Sequence, residues 1–293
     1  MNGSPSPSSP TPALRQSDAA REESSDAAPR SLAERLNGVR ARIAGACRQA
    51  GRDPSTVSLL AVSKTFGAEQ VLALAALGQS AFGENYVQEA TAKMDACRDG
   101  RPDAAPGRRA GPEASFEPPL EWHFIGPIQS NKTRTIAERF DWVHSVDREK
   151  IAARLGEQRP EGLPPLQCCV QVNVSGEASK SGCPPEGAVA VARAIAAQPR
   201  LRLRGVMAIP EPTDDPSLQR SRFAAAREVL GKIRDALATG HPESVATLDT
   251  LSMGMSADLE SAIAEGATIV RVGSALFGER PRRPAATPGA DAQ

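Results

Sequence analysis

The feature that most constrains this chain is an alternation. Short apolar runs, most followed by a stretch with helical spacing, repeat from residue 58 to residue 272. Eight strand candidates fall at 58–63, 80–83, 122–126, 142–146, 167–174, 203–208, 248–252 and 268–272. Helical patterns lie near 68–77, 86–96, 130–139, 147–157, 185–197, 216–238 and 257–265. One more helix precedes them: Ser31 and Glu34 make a capping box, and Leu32, Leu36, Val39, Ile43 and Cys47 recur on one face. Repeated strand–helix units imply parallel strands with right-handed crossovers. Eight of them favour a closed (β/α)8 barrel. An open doubly wound sheet would carry a glycine-rich fingerprint after its first strand, and "AVSKTFGAEQ" has none.

Residues 1–30 are rich in Ser, Pro, Ala and charge, and are expected to be a disordered extension. A segment of the same character at 98–119 is expected to be a surface insertion, and 281–293 a disordered tail. The folded unit, about 31–280, then approaches the roughly 250 residues of such a barrel. Lys+Arg and Asp+Glu are both 35, so the chain lacks the basic footprint of a nucleic-acid binder. No apolar run approaches the roughly 20 residues of a membrane span, and no signal peptide is expected. The five cysteines form no C-x-x-C pair, which points to reduced thiols in a cytoplasmic protein. Adjacent Cys168 and Cys169 should face opposite sides of one strand. The three histidines lie far apart, with no metal-ligand spacing.

Barrels carry their chemistry at the C-terminal ends of the strands. Strand one ends in Ser63-Lys64-Thr65. If Leu60 and Val62 face the interior, so does Lys64. A desolvated lysine titrates lower, and its neutral amine attacks aldehydes to form a Schiff base; the alternative is a lysine whose head reaches solvent at the barrel mouth. Gly273 and Ser274 follow the last strand, where their N–H groups and the hydroxyl suit an anion. Ser256 occupies the preceding loop as the expected N-cap of the next helix. Those two loops are where barrels hold phosphate. Arg271 shares the inward face with Gly273 and needs an acceptor, either a ligand's ring nitrogen or a buried carboxylate. Amine, phosphate cradle and ring-nitrogen donor together suit pyridoxal 5′-phosphate (PLP).

The stretches "AVSKT", "FGENYVQEA", "WHFIGPIQSNK", "VNVSGEASKSG", "LRGVMAI", "LSMGMSADLESAI" and "VRVGSALFGER" closely resemble the pyridoxal-phosphate homeostasis proteins, in that family's order across about 57–280. The resemblance implies a single barrel like the N-terminal domain of alanine racemase, the architecture of fold type III PLP proteins. It also implies a PLP Schiff base on Lys64, phosphate-binding loops at Ser256 with Gly273 and Ser274, and a ring-nitrogen donor at Arg271. Asn85, His123, Asn173 and Met207 match family positions around the cofactor pocket. Lys132, Glu177 and Lys180 match motif positions that also read as solvated surface.

The expected function is therefore a non-catalytic carrier that holds PLP reversibly, keeps its aldehyde in check and serves apo-enzymes in vitamin B6 homeostasis. A PLP-dependent racemase is the first alternative. It needs a second acid/base opposite the lysine, in the related racemases a tyrosine from an added β-domain. This chain ends soon after strand eight, and its single tyrosine, Tyr86, sits in the strand-two motif. A barrel aldolase using Lys64 on a substrate carbonyl, without cofactor, is the second.

Overall fold

The computed structural model describes residues 30–99, 118–176 and 181–278. In order along the chain come α1 (Leu32–Gln49), β1 (Ser58–Val62), α2 (Ala68–Ala76), β2 (Ala81–Glu84), α3 (Val87–Asp99) and β3 (Glu121–Phe124). Next are α4 (Thr133–Arg139), β4 (Trp142–Val146), α5 (Glu149–Gln158), β5 (Leu166–Val172), α6 (Ala188–Ala196) and β6 (Leu201–Ala208). The series closes with α7 (Pro216–Leu237), α8 (Pro242–Val245), β7 (Thr250–Ser252), α9 (Leu259–Ala264), β8 (Ile269–Val272) and α10 (Ser274–Phe277). The strands form a closed parallel barrel in sequence order, with β8 paired back on β1. The expected architecture is the observed one.

Burial on both sides explains why each strand is an apolar run. The two-residue period divides every strand between an inner and an outer core. Leu60, Val62, Ile125, Trp142, Cys169, Met207 and Ile269 fill the barrel interior. Ala61, Phe82, Phe124, Val143, Cys168, Val270 and Val272 face the helix layer. Cys168 and Cys169 therefore point to opposite faces, as expected. The α1 capping box forms: the Ser31 hydroxyl accepts the Glu34 N–H at 3.2 Å, and the Ser31 N–H reaches the Glu34 carboxylate at 2.7 Å. Such a cap contributes about 1 kcal/mol.

Some boundaries moved. β5 stops at Val172, not 174, because the Asn173 side-chain oxygen accepts the N–H groups of Ser175 and Gly176 and turns the chain. β7 starts at Thr250 because Leu248 belongs to the turn after α8, a short helix that Pro242 begins and that the pattern did not predict. Ser256 is not an N-cap. Asp258 precedes α9, and its carboxylate accepts the Met255 N–H at 2.6 Å. Arg98 and Asp99, assigned above to the insertion, complete α3. The rest of that insertion up to 117, the extension to residue 29, the tail from 279, and Glu177 and Lys180 lie outside the described residues.

Candidate functional site

Barrel order places β7, β8, β1 and β2 side by side. Their C-terminal ends carry Ser256, then Gly273 and Ser274, then Lys64, then Asn85. Lys64 lies in the turn two residues past β1, the strand whose Leu60 and Val62 face the interior, and is half-buried. Thr65, next to it, has φ of 71°, a left-handed conformation that a β-branched residue adopts at a cost of about 1–3 kcal/mol. The turn is held from several sides. Phe66 donates its N–H to the Ser63 carbonyl at 3.0 Å, and its ring stacks on Phe277 of α10 with centroids 4.7 Å apart. The end of β1 thus abuts the loop that carries Gly273 and Ser274.

Behind this turn, between barrel and helices, sits a buried charge cluster. Glu84 ends β2 facing outward, and its carboxylate accepts from the Ser63 hydroxyl and from Lys93 Nζ, each at 2.6 Å. Burial pushes the Glu84 carboxyl above its ordinary range, and the Lys93 ammonium opposes that shift.

Arg271 lies on β8 beside Leu60, 3% exposed. Its guanidinium donates to the Ser252 hydroxyl at 2.8 Å, to the Ser252 carbonyl, and to the Ala208 carbonyl at 2.9 Å. Among the described residues no carboxylate forms a salt bridge with it, so the buried-carboxylate alternative does not hold. Burial lowers its pKa to about 10, opposed by the field of Asp258. The group remains a cation at neutral pH, held by neutral acceptors.

A chain of side chains continues across the interior from Ser252. His144 Nδ1 lies 2.7 Å from the Ser252 hydroxyl, and His144 Nε2 lies 2.9 Å from His123 Nδ1. His123 Nε2 meets Glu121 at 2.7 Å. Glu121 and His123 line a cavity of about 770 Å³ that also touches Ser58, Ala81 and Ile269 at the N-terminal ends of their strands. His123 therefore belongs to the interior below the mouth and reaches Arg271 only through His144 and Ser252.

At the anion-suited rim the Ser274 hydroxyl lies 3.3 Å from that of Ser256. A Cβ at Gly273 would stand 3.2 Å from the Val62 carbonyl oxygen, so glycine lets the end of β8 lie close on β1. Asn85 Oδ1 is buried and has no hydrogen-bond partner among the described residues, an acceptor in want of a donor. Gly126 fixes the loop from which it projects: a Cβ there would come 2.2 Å from the Asn85 carbonyl oxygen. Met207 is fully buried in the interior floor, and the Asn173 oxygen is engaged in its own turn. Clustered hydroxyls, a mouth lysine and an interior cation fit a ligand with a phosphate, an aldehyde and a ring acceptor.

A family model described as "Alanine racemase, N-terminal domain" matches residues 36–281. The pyridoxal phosphate homeostasis protein of Pseudomonas aeruginosa is 56% identical over 249 residues, covering 85% of this chain and 96% of that relative. This chain belongs to the pyridoxal phosphate homeostasis proteins. The family member of Escherichia coli K12 is 45% identical over 85% of this chain and 97% of its own length. Among solved structures, PipY of Synechococcus elongatus with PLP bound aligns at a TM-score of 0.67 and 33% identity, over 85% of this chain and all of that one. Alanine racemase of Corynebacterium glutamicum aligns at 0.53 and 18% identity, covering 84% of this chain and 62% of the racemase, a likeness of fold alone.

Within this homeostasis-protein barrel, the structure gathers Lys64, Asn85, Ser256, Gly273 and Ser274 on four adjacent strand ends, with Arg271 below them. Lys132 is half-buried in the turn before α4 and lines a cavity of about 230 Å³ with Asn85, Tyr86 and Gln129. Tyr86 itself is 56% exposed. Sequence reasoning missed Glu84, Lys93, His144 and Ser252. The signal for His144 was its two-residue spacing from Trp142 in a strand otherwise fit for burial. The Glu89–Lys93 spacing instead imitates a surface helix pair.

Proposed function

We propose that this protein holds pyridoxal 5′-phosphate as a reversible Schiff base on Lys64 and maintains its supply to apo-enzymes, without catalytic turnover. The observation that carries the reading is Lys64 at the barrel mouth, with Arg271 on the adjoining strand and the Ser256–Ser274 hydroxyl pair in the neighbouring loops. When bound, the cofactor supplies an aldehyde for the lysine amine, a phosphate and a pyridine nitrogen. Lys64 would supply the amine with which that aldehyde could form a Schiff base. Ser256, Gly273 and Ser274 take the phosphate, and Asn85 and Asn173 border the ring. Met207 forms the apolar floor. His123 acts indirectly, through His144 and Ser252, on the direction of the Arg271 guanidinium.

Arg271 favours a carrier over a racemase. A guanidinium that stays charged donates to the ring nitrogen and leaves it unprotonated, which makes the ring a poor electron sink. The relatives' designation as homeostasis proteins supports the same reading, as does PLP in the PipY structure. Five buried free thiols accord with a reducing compartment, the cytoplasm. Among the described residues no helix is long and apolar enough to cross a membrane.

The test mixes the PLP-loaded protein with an apo-enzyme that needs PLP, alongside amino acids in deuterated water. Reactivation of the apo-enzyme in step with loss of Schiff-base absorbance is expected, with no α-hydrogen exchange over many turnovers. Sustained exchange would make the protein a racemase.

A further inference from the structure

We propose that Glu84, Glu89 and Lys93 are positioning residues for Lys64, acting through the two peptide groups that flank it. The inference rests on the role given to Lys64 above. The Ser63 carbonyl belongs to the peptide on the N-terminal side of Lys64, and Lys93 Nζ donates to it at 2.7 Å. The Thr65 N–H belongs to the peptide on the C-terminal side, and the Glu89 carboxylate accepts it. Lys93 Nζ joins these two holds, because it also meets Glu84 at 2.6 Å and Glu89 at 3.2 Å. The Ser63 hydroxyl adds a third tie to Glu84. Both peptides around Lys64 therefore end in one cluster.

Burial separates this cluster from an ordinary surface pair. The Lys93 and Glu84 side chains are 4% and 0% exposed. A pair this deep gives little net stability, since desolvating two charges offsets most of their attraction. Glu84 Oε2 is buried without a hydrogen-bond partner among the described residues, so the carboxylate depends on contacts through its other oxygen. What the cluster does provide is direction. It holds Thr65 in its left-handed conformation and fixes where the Lys64 side chain leaves the backbone. The amine then searches only its own torsions before attack. The new bond joins Lys64 Nζ to the aldehyde carbon, and the aldehyde oxygen leaves as water.

The test compares wild type with the double variant Lys93→Met/Glu84→Gln, which removes both buried charges together. Two measurements are made on the full chain: the rate at which Schiff-base absorbance appears on mixing with PLP, and the affinity for pyridoxine 5′-phosphate, which has the ring and phosphate but no aldehyde. Schiff-base formation is expected to slow by about tenfold or more, with pyridoxine 5′-phosphate affinity held within about twofold. Glu89→Gln, at a side chain 33% exposed, keeps the buried pair and should show the same selective slowing if the double variant does not fold. Unchanged rates in folded variants overturn the proposal, as does an equal loss of both ligands. Wild-type protein without any Schiff-base absorbance would overturn this inference together with the reading of Lys64, a result distinct from the other two.

Discussion

His144 should set the acid limit of this barrel. It is fully buried on β4, facing His123 on β3, Ser252 on β7 and Arg271 on β8. Desolvation, then the fields of His123 and Arg271, hold its pKa well below the ordinary 6.5. Below about pH 6.5 the unfolded chain binds a proton here that the folded chain refuses. Stability present at neutral pH is therefore lost as pH falls through that value. One proton corresponds to about 1.4 kcal/mol per pH unit, so about 2 kcal/mol disappears between pH 6.5 and 5 from this residue alone. The perturbation is His144→Gln, which keeps a hydrogen-bonding side chain and removes the titration. The assay is urea unfolding of both proteins at several pH values. The variant has lower stability at neutral pH, but its slope between about pH 6.5 and 5 should be shallower than wild type's by about 1.4 kcal/mol per unit. Parallel slopes would refute the reasoning, because His144 would then titrate alike in both states.

Two further outcomes follow from packing. Gly126→Ala places a methyl group 2.2 Å from the Asn85 carbonyl oxygen, so the loop must move; about 1–3 kcal/mol should be lost in urea unfolding, together with PLP affinity. The five cysteines are all buried, and burial raises Cys169 to about 12 and Cys97 and Cys183 to about 11. A disulfide reagent at mildly alkaline pH should modify none of the five in the native protein and all of them after unfolding.

The barrel was legible because parallel strands buried on both faces become short apolar runs, a pattern that survives without knowledge of partners. The inward burial of Arg271 was legible for the same reason, since it stands two residues from Ile269, an inner residue of the same strand. Ser256 misled because a serine before a helical pattern is a common cap, whereas the N-cap position falls to Asp258, whose carboxylate accepts the Met255 N–H in the preceding turn instead of an N–H of α9. The Glu84–Lys93 cluster was invisible for a different reason. Its members lie on a strand end and a helix, and only closure of the β/α layer takes the pair out of water. His144 likewise needs hydrogen-bond partners from two other strands, which local sequence does not record.

The central claim is that Lys64 captures PLP, and borohydride reduction tests it most directly. Wild type and Lys64→Ala are incubated with PLP, reduced, digested and weighed by mass spectrometry, with absorbance followed throughout. The account predicts a Schiff-base band in wild type, a reduced pyridoxyl adduct on the Lys64 peptide, and neither in the variant. An adduct on another lysine, or wild type that stays colourless with added PLP, would contradict it.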